Sequence, residues 1–296
     1  MMKVLLAEYA VHNDPKLAPE GEAMLSVLSE SFERCGYEVV MPGEGEFGDE
    51  IIRLAPKCDY ALVIAPDDLL SGFVRSIEMK VHHIGCGSFN VVLCANKMRT
   101  ADILRKNGIN TPENGRGDKR IIKPILGSGT INTRISNGEP AKGEFSQEYI
   151  EGENLSVSMV IGRITGNACE YYSGKPPLVL AINRQYVEVT DDGRISYTGG
   201  ETPVVHPRQD EIIKTAVDAA TVMGCQGYVG IDLIIADRIY VIDVNPRITT
   251  SLIGIAACMQ EEIADILVCA SKGEVPESVT LNGHAVFDTH GRISLQ

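Results

Sequence analysis

The stretch Gly227-Tyr-Val-Gly230-Ile-Asp232-Leu-Ile-Ile-Ala-Asp237-Arg238-Ile-Tyr-Val-Ile-Asp243-Val-Asn245-Pro-Arg247 decides how this chain folds. Both halves are rich in Ile, Val and Tyr, and Ala236-Asp237-Arg238 interrupts the apolar run, so an antiparallel hairpin is predicted. With Asp237 and Arg238 as a two-residue turn, Asp232 falls directly opposite Asp243. Asn245 then shares their face and opposes Gly230, which has no side chain. Carboxylates whose β-carbons lie about 5 Å apart destabilise a strand pair unless a cation sits between them. The oxygens of these three side chains are hard donors, which favours magnesium or manganese over zinc. The plainer alternative is a solvent-facing hairpin whose acids serve solubility, and Asp-Arg is not a favoured two-residue turn. On this stretch alone both stand.

Working outward, 296 residues with 44% hydrophobic content can bury a core and divide into two or three lobes. Net charge is −13, from 40 acids against 27 bases, and no Lys/Arg-rich tract offers the footprint that nucleic-acid binding needs. A chain this acidic binds polyphosphate only by placing a few cations locally and recruiting divalent metal, so isolated lysines beside glycines gain interest. Eight cysteines without a Cys-x-x-Cys pair read as reduced, packed thiols. The opening Met-Met-Lys-Val-Leu-Leu-Ala-Glu is too short an apolar run and too soon acidic for a signal peptide, and no segment approaches the roughly 20 apolar residues of a membrane span. A cytoplasmic location, with neither nucleic acid nor membrane as partner, is expected.

The expected fold is α/β followed by α+β. Residues 1–88 alternate strand and helix (strand Val4 to Ala7, helix Pro19 to Cys35, strand Tyr37 to Met41, helix Glu50 to Pro56, strand Tyr60 to Ala65, helix Asp67 to Lys80), as a parallel sheet requires. Asn96 can cap a helix through Lys106 that Asn107-Gly108 closes. Residues 89–150 form a central lobe with short, Gly-joined strands, and 151–296 a C-terminal lobe holding the hairpin. Residues 172–207, punctuated by Pro176-Pro177, Asp191-Asp192-Gly193 and Gly199-Gly200, are expected to be a long excursion with one hairpin. Gln209 to Met223 and Ser251 to Cys269 are expected as single helices.

Gly43-Glu-Gly45-Glu-Phe-Gly48 matches the dinucleotide pattern, but it follows the second strand, and Glu44 and Glu46 would repel a pyrophosphate; an acidic turn is the better account. Lys123-Pro-Ile-Leu-Gly127-Ser128-Gly129-Thr130 pairs a strand-end lysine with a loop whose glycine amides can approach phosphate closely, although plain hairpin turns look alike. Gln147-Glu148-Tyr149-Ile150-Glu151-Gly152-Glu153-Asn154 can serve as a hinge against a purine edge or stand as a solvated turn. His82, His83 and His206 lack partners at ligand spacing and are assigned structural roles.

Taken in order, Asn96-Lys97 with Gly108-Ile-Asn-Thr-Pro112, Lys123-Pro-x-x-Gly-x-Gly, Gln147-Glu-Tyr-Ile-Glu-Gly-Glu, Gly230-Ile-Asp232 and Asp243-Val-Asn245-Pro-Arg247 resemble the ATP-grasp ligases over roughly residues 90–255. The resemblance implies a Rossmann-like N-terminal lobe and two α+β lobes clasping ATP. It implies that Lys97 and Lys123 contact the phosphates, that the loop of Gly127, Ser128 and Gly129 closes over them, and that Gln147, Glu148, Tyr149 and the backbone at Ile150 hold adenine. It further implies that Asp232, Asp243 and Asn245 bind magnesium or manganese, two ions in all, and, since Asn154 stands where many members carry the ribose carboxylate, that either Glu153 takes the ribose or that contact is weaker. Asp243 departs from the Glu commoner there, so the metal sits closer to the strand or on one oxygen.

Arg247 and Lys123 would act on the reacting groups, with Arg247, Arg184 and Lys175 holding substrate carboxylates. Glu8-Tyr9, Glu20-Gly21-Glu-Ala-Met24, Ala181-Ile-Asn183-Arg184-Gln185, Tyr197-Thr-Gly199-Gly200 and Asn245-Pro-Arg247-Ile-Thr-Thr-Ser251 resemble the archaeal branch that joins glutamate to tyramine for methanofuran biosynthesis. The implied reaction links the glutamate γ-carboxyl to an amine such as tyramine through an acylphosphate, releasing ADP and phosphate. The alternatives are a ligase of the same fold for another amino acid or peptide carboxylate, and a catalytically silent nucleotide-binding regulator. Oligomeric state is open, a homodimer included.

Overall fold

A computed structural model describes residues 1–115, 117–127, 130, 132–164 and 175–296. The first lobe runs β1 (Lys3–Glu8), α1 (Ala10–Asn13), α2 (Ala18–Arg34), β2 (Glu38–Val40), α3 (Phe47–Leu54), β3 (Tyr60–Ile64), α4 (Asp67–Ile77) and β4 (His82–His83). Its sheet is parallel in the order β2-β1-β3-β4. Val4, Leu5, Leu6 and Ala7 are all buried, because helices cover both faces of a parallel sheet and leave no polar side to alternate with. α2 turns Met24, Leu28 and Phe32 inward at four-residue spacing and stops at Gly36, whose φ of 80° favours glycine. The glycine-rich segment before α3 is an acidic turn, as expected: the Glu46 carboxylate caps the helix by accepting from Asp49 N at 2.8 Å.

Two helices lead out of this lobe, α5 (Ser88–Ala95), which sequence periodicity missed, and α6 (Lys97–Lys106). Asn96 caps α6 by accepting from Arg99 N at 3.0 Å. β5 (Arg120–Pro124), β6 (Arg134–Ser136) and β7 (Glu144–Glu148) then form a small antiparallel sheet in the order β6-β5-β7.

The rest of the chain supplies β8 (Glu153–Ile161), β9 (Leu178–Val189), β10 (Ile195–Thr202), α7 (Gln209–Val222), β11 (Gly227–Ile235), β12 (Ile239–Asn245), α8 (Ser251–Cys258), α9 (Ile263–Ala270), β13 (Ala285–Asp288) and β14 (Ile293–Leu295). Its strands form an antiparallel sheet, β12-β11-β8-β9-β10-β13-β14. Three expectations need correcting. The expected excursion contains β9 and β10, which are internal strands of the large sheet. The single helix expected from Ser251 to Cys269 is two, because Glu262 turns aside to accept from Ser31 Oγ and Arg34 Nε of α2, both at 2.7 Å. β13 and β14 were not foreseen.

Two apolar cores cement the arrangement. One joins Leu5, Val63 and Val74 of the first lobe to Ala216, Val229 and Val241, and the other joins Leu28 and Phe32 of α2 to Leu252 and Leu267. The first lobe and the large sheet therefore share their interior.

Candidate active site

The β11–β12 hairpin forms the floor of a cleft of about 380 Å³. Asp232 pairs with Asp243 and Gly230 with Asn245, as the sequence predicted, but by a different route. The turn holds three residues, since Ile235 pairs with Ile239, and a β-bulge at Ile242 then restores the register. Ile242, Asp243 and Asn245 all line the cleft, while Val241 and Val244 are buried in the core.

Two lysines reach the cleft from above. Lys97 opens α6, where a cation opposes the helix dipole; its ion pair with Asp243 offsets that cost. Burial depresses the Lys97 ammonium, yet Asp243 and Asp67 outweigh it and hold its pKa raised. Lys123 of β5 is also buried and donates to the Ile242 carbonyl oxygen at 3.2 Å, the group freed by the bulge. With less carboxylate support, burial pushes it down to about 8.

Asp232 accepts from Gln185 Nε2 and Asn245 Nδ2, both at 2.9 Å. Burial and then the charge of Asp243 lift its carboxyl to about 6, although it borders the open cleft. That repulsion, with hard oxygens on one face, fits a divalent cation. Among the described residues no three His, Cys, Asp or Glu gather as a metal cluster, so the candidate set is two carboxylates and an amide. Such a sparse set suits magnesium, which takes its remaining ligands from water and substrate phosphate.

At the hinge, Gln147 Nε2 donates to Pro112 O at 3.3 Å and the Glu148 carboxylate accepts from Glu113 N at 3.2 Å. Both residues line the cleft with Tyr149, Ile150 and apolar Ile121, Leu233 and Ile242. Gly127 has a φ of 122°, while Ser128 and Gly129 lie outside the described residues.

Arg247 lines the inner end, and its Nε donates to Asp67 Oδ1 at 2.7 Å. Glu20, bonded by Thr250 Oγ1, and Tyr197 also line it. Burial pushes the Tyr197 phenol well above its ordinary range, so it keeps its proton.

Four predicted residues among those described do not line the cleft: Gly127, Glu153, Arg184 and Lys175. Glu153 and Arg184 sit on strand positions next to Asn154 and Gln185, so alternation turns them the other way while their neighbours line the site. Arg184 pairs there with Glu201 at 2.9 Å and Glu153 at 3.5 Å. Lys175 forms an ion pair with Glu274. Glu20, Asn154, Gln185 and Tyr197, quoted above within motifs but given no role of their own, line the cleft, and Asp67, which no motif included, pairs with Arg247 behind it. For Asp67 the one available signal was an acid immediately after a strand of a parallel sheet, the end at which open α/β sheets gather functional groups.

A profile for an ATP-grasp domain matches residues 94–251, more than half of the chain. The tyramine–L-glutamate ligase of Methanocaldococcus fervens is 34% identical over 223 residues, 74% of this chain and 68% of that protein. Its namesake from Methanocaldococcus jannaschii is 33% identical over 222 residues, 73% and 64% respectively. A crystal structure of an ATP-grasp superfamily protein from Archaeoglobus fulgidus superposes with a TM-score of 0.79 at 25% identity, covering 97% of this chain and 92% of that one. With its lysines, acidic hairpin and closing arginine gathered in one cleft, the chain belongs to the ATP-grasp ligases, enzymes that form C–N bonds.

Proposed function

We propose that this enzyme joins the γ-carboxyl of glutamate to an aromatic amine, tyramine, at the expense of ATP. The observation that carries the ligase chemistry is the convergence of Lys97, Lys123, Asp232, Asp243, Asn245 and Arg247 on one cleft. The substrate choice is supported by the likeness to the two tyramine–L-glutamate ligases.

Adenine lies in the slot of Ile121, Leu233 and Ile242, against the backbone from Glu148 to Ile150, because the side chains of Gln147 and Glu148 are engaged in bracing the hinge. Lys97 and Lys123 draw the phosphates toward the hairpin, and Asn154 takes over the ribose from Glu153. Asp232, Asp243 and Asn245 hold magnesium or manganese, two ions, and the bound metal neutralises charge on the phosphates.

The substrate carboxylate attacks the γ-phosphate, forming an acylphosphate and ADP. Arg247 holds that carboxylate and then the oxyanion formed when the amine attacks the activated carbonyl, and phosphate leaves as the amide forms. Tyr197 donates a hydrogen bond at the inner end, and Glu20 faces the incoming ammonium and accepts the proton it loses before the neutral amine attacks.

Incubation with ATP, magnesium, glutamate and a panel of amines should release ADP only when an aromatic amine is present, with the amide found by mass spectrometry. Release with a different carboxylate, or none with any amine, overturns the assignment of substrates.

A further inference from the structure

We propose that Asp67, in the first lobe, is a positioning residue for the ligase reaction, aiming Arg247 at the reacting carboxylate. The proposal rests on the role given to Arg247 above. Asp67 is the first residue of α4 and lies outside the segment 94–251 that matches the ATP-grasp domain. Its side chain is 2% exposed and does not line the cleft, so it cannot touch a substrate there.

A carboxylate buried this deeply is unfavourable unless it is paired and hydrogen-bonded. The start of α4 supplies one favourable field, and Arg247 Nε supplies the pairing at 2.7 Å. Arg247 spends a second donor, Nη1, on the Ile248 carbonyl at 3.1 Å. A guanidinium has five N–H donors in one plane, so fixing Nε and Nη1 fixes the plane, and the remaining edge belongs to the cleft that Arg247 lines. A contact serving only to dock the lobes would gain little from engaging a cleft residue, since the shared apolar cores already do that.

The test is a double-mutant cycle. Asp67→Asn preserves size and an acceptor, and Asp67→Ser suits a helix start but is too short to reach the guanidinium. Each should lower kcat/KM for the carboxylate substrate by about 10- to 100-fold while leaving KM for ATP unchanged. Adding either to Arg247→Ala should cause no further loss, because Asp67 acts through Arg247. A crystal structure of Asp67→Ser, which needs no substrate, should show the Arg247 side chain displaced. Additive losses, or an Arg247 unmoved in that crystal, overturn the proposal while leaving the role of Arg247 intact. Wild-type kinetics in Arg247→Ala alone would instead locate the failure in the reading of Arg247, and the proposal falls with it.

Discussion

Replacing Asp232 by Asn should stabilise the metal-free protein while abolishing its response to magnesium and ATP. Asp232 faces Asp243 in register, and burial together with that charge lifts its carboxyl from 3.8 to about 6. Between those values the folded chain binds more protons than the unfolded one, so this group costs stability as pH rises through the window. Above it the cost levels off at a ceiling of about 3 kcal/mol. Asp232 borders the open cleft, and solvent screening brings the figure to about 2 kcal/mol. An Asn there keeps one acceptor instead of two, so one bond from Gln185 or Asn245 is lost, at about 1 kcal/mol. The balance is a gain near 1 kcal/mol, or about 2 °C in Tm for a chain of this size. Thermal unfolding near neutral pH, first with chelator and then with magnesium and ATP, reads both halves. At a hundredfold excess over Kd the wild type should gain about 2.7 kcal/mol and the variant almost none, so their order inverts. A variant less stable than wild type in chelator, or equal stabilisation of both by magnesium-ATP, refutes the reasoning.

Gly152→Ala would set a Cβ 2.4 Å from the Ile235 carbonyl oxygen and 2.8 Å from the Ile234 side chain, so its urea midpoint should report a loss of about 1–3 kcal/mol, with weaker nucleotide binding by calorimetry. ATP affinity should decline as pH rises through about 8, where Lys123 loses its proton, and Lys123→Arg should flatten that decline. His83 is buried and held near 4 instead of 6.5, so the folded chain binds fewer protons than the unfolded one in that interval. Acidification across it should cost up to about 3 kcal/mol, a slope that His83→Gln removes in denaturation series and that unchanged slopes would disprove.

Periodicity was legible where the local pattern and the tertiary environment agree. The apolar β1, the stripe of α2 and the Asn96 cap are read directly from neighbours in sequence. The large sheet was harder because Gly199-Gly200 resembles a turn. A Cβ at Gly199 would meet the Phe287 carbonyl oxygen at 2.2 Å, and one at Gly200 the Arg184 carbonyl oxygen at 2.2 Å, so these glycines mark close backbone approach inside a sheet. Parity decided the substrate residues: an arginine beside a glutamine was chosen for its charge, but the glutamine faces the cleft. Asp67 meets Arg247 across 180 residues, a contact that no local pattern encodes.

The hairpin shows why a correct pairing can hide an incorrect path. Ile239 and Val241 point into the core, and a regular strand would have sent Asp243 after them. The three-residue turn alone would therefore bury the second carboxylate away from the first. The bulge at Ile242 adds the missing residue, returns Asp243 to the face of Asp232, and leaves a carbonyl for Lys123. One irregularity thus aligns the acidic pair and anchors Lys123 at the cleft. Deleting Ile242 would leave Asp243 opposite Asp232 on a regular strand but remove the carbonyl that anchors Lys123, so the magnesium response should survive while ATP affinity falls; loss of the magnesium response as well would show that the acids need the bulge itself.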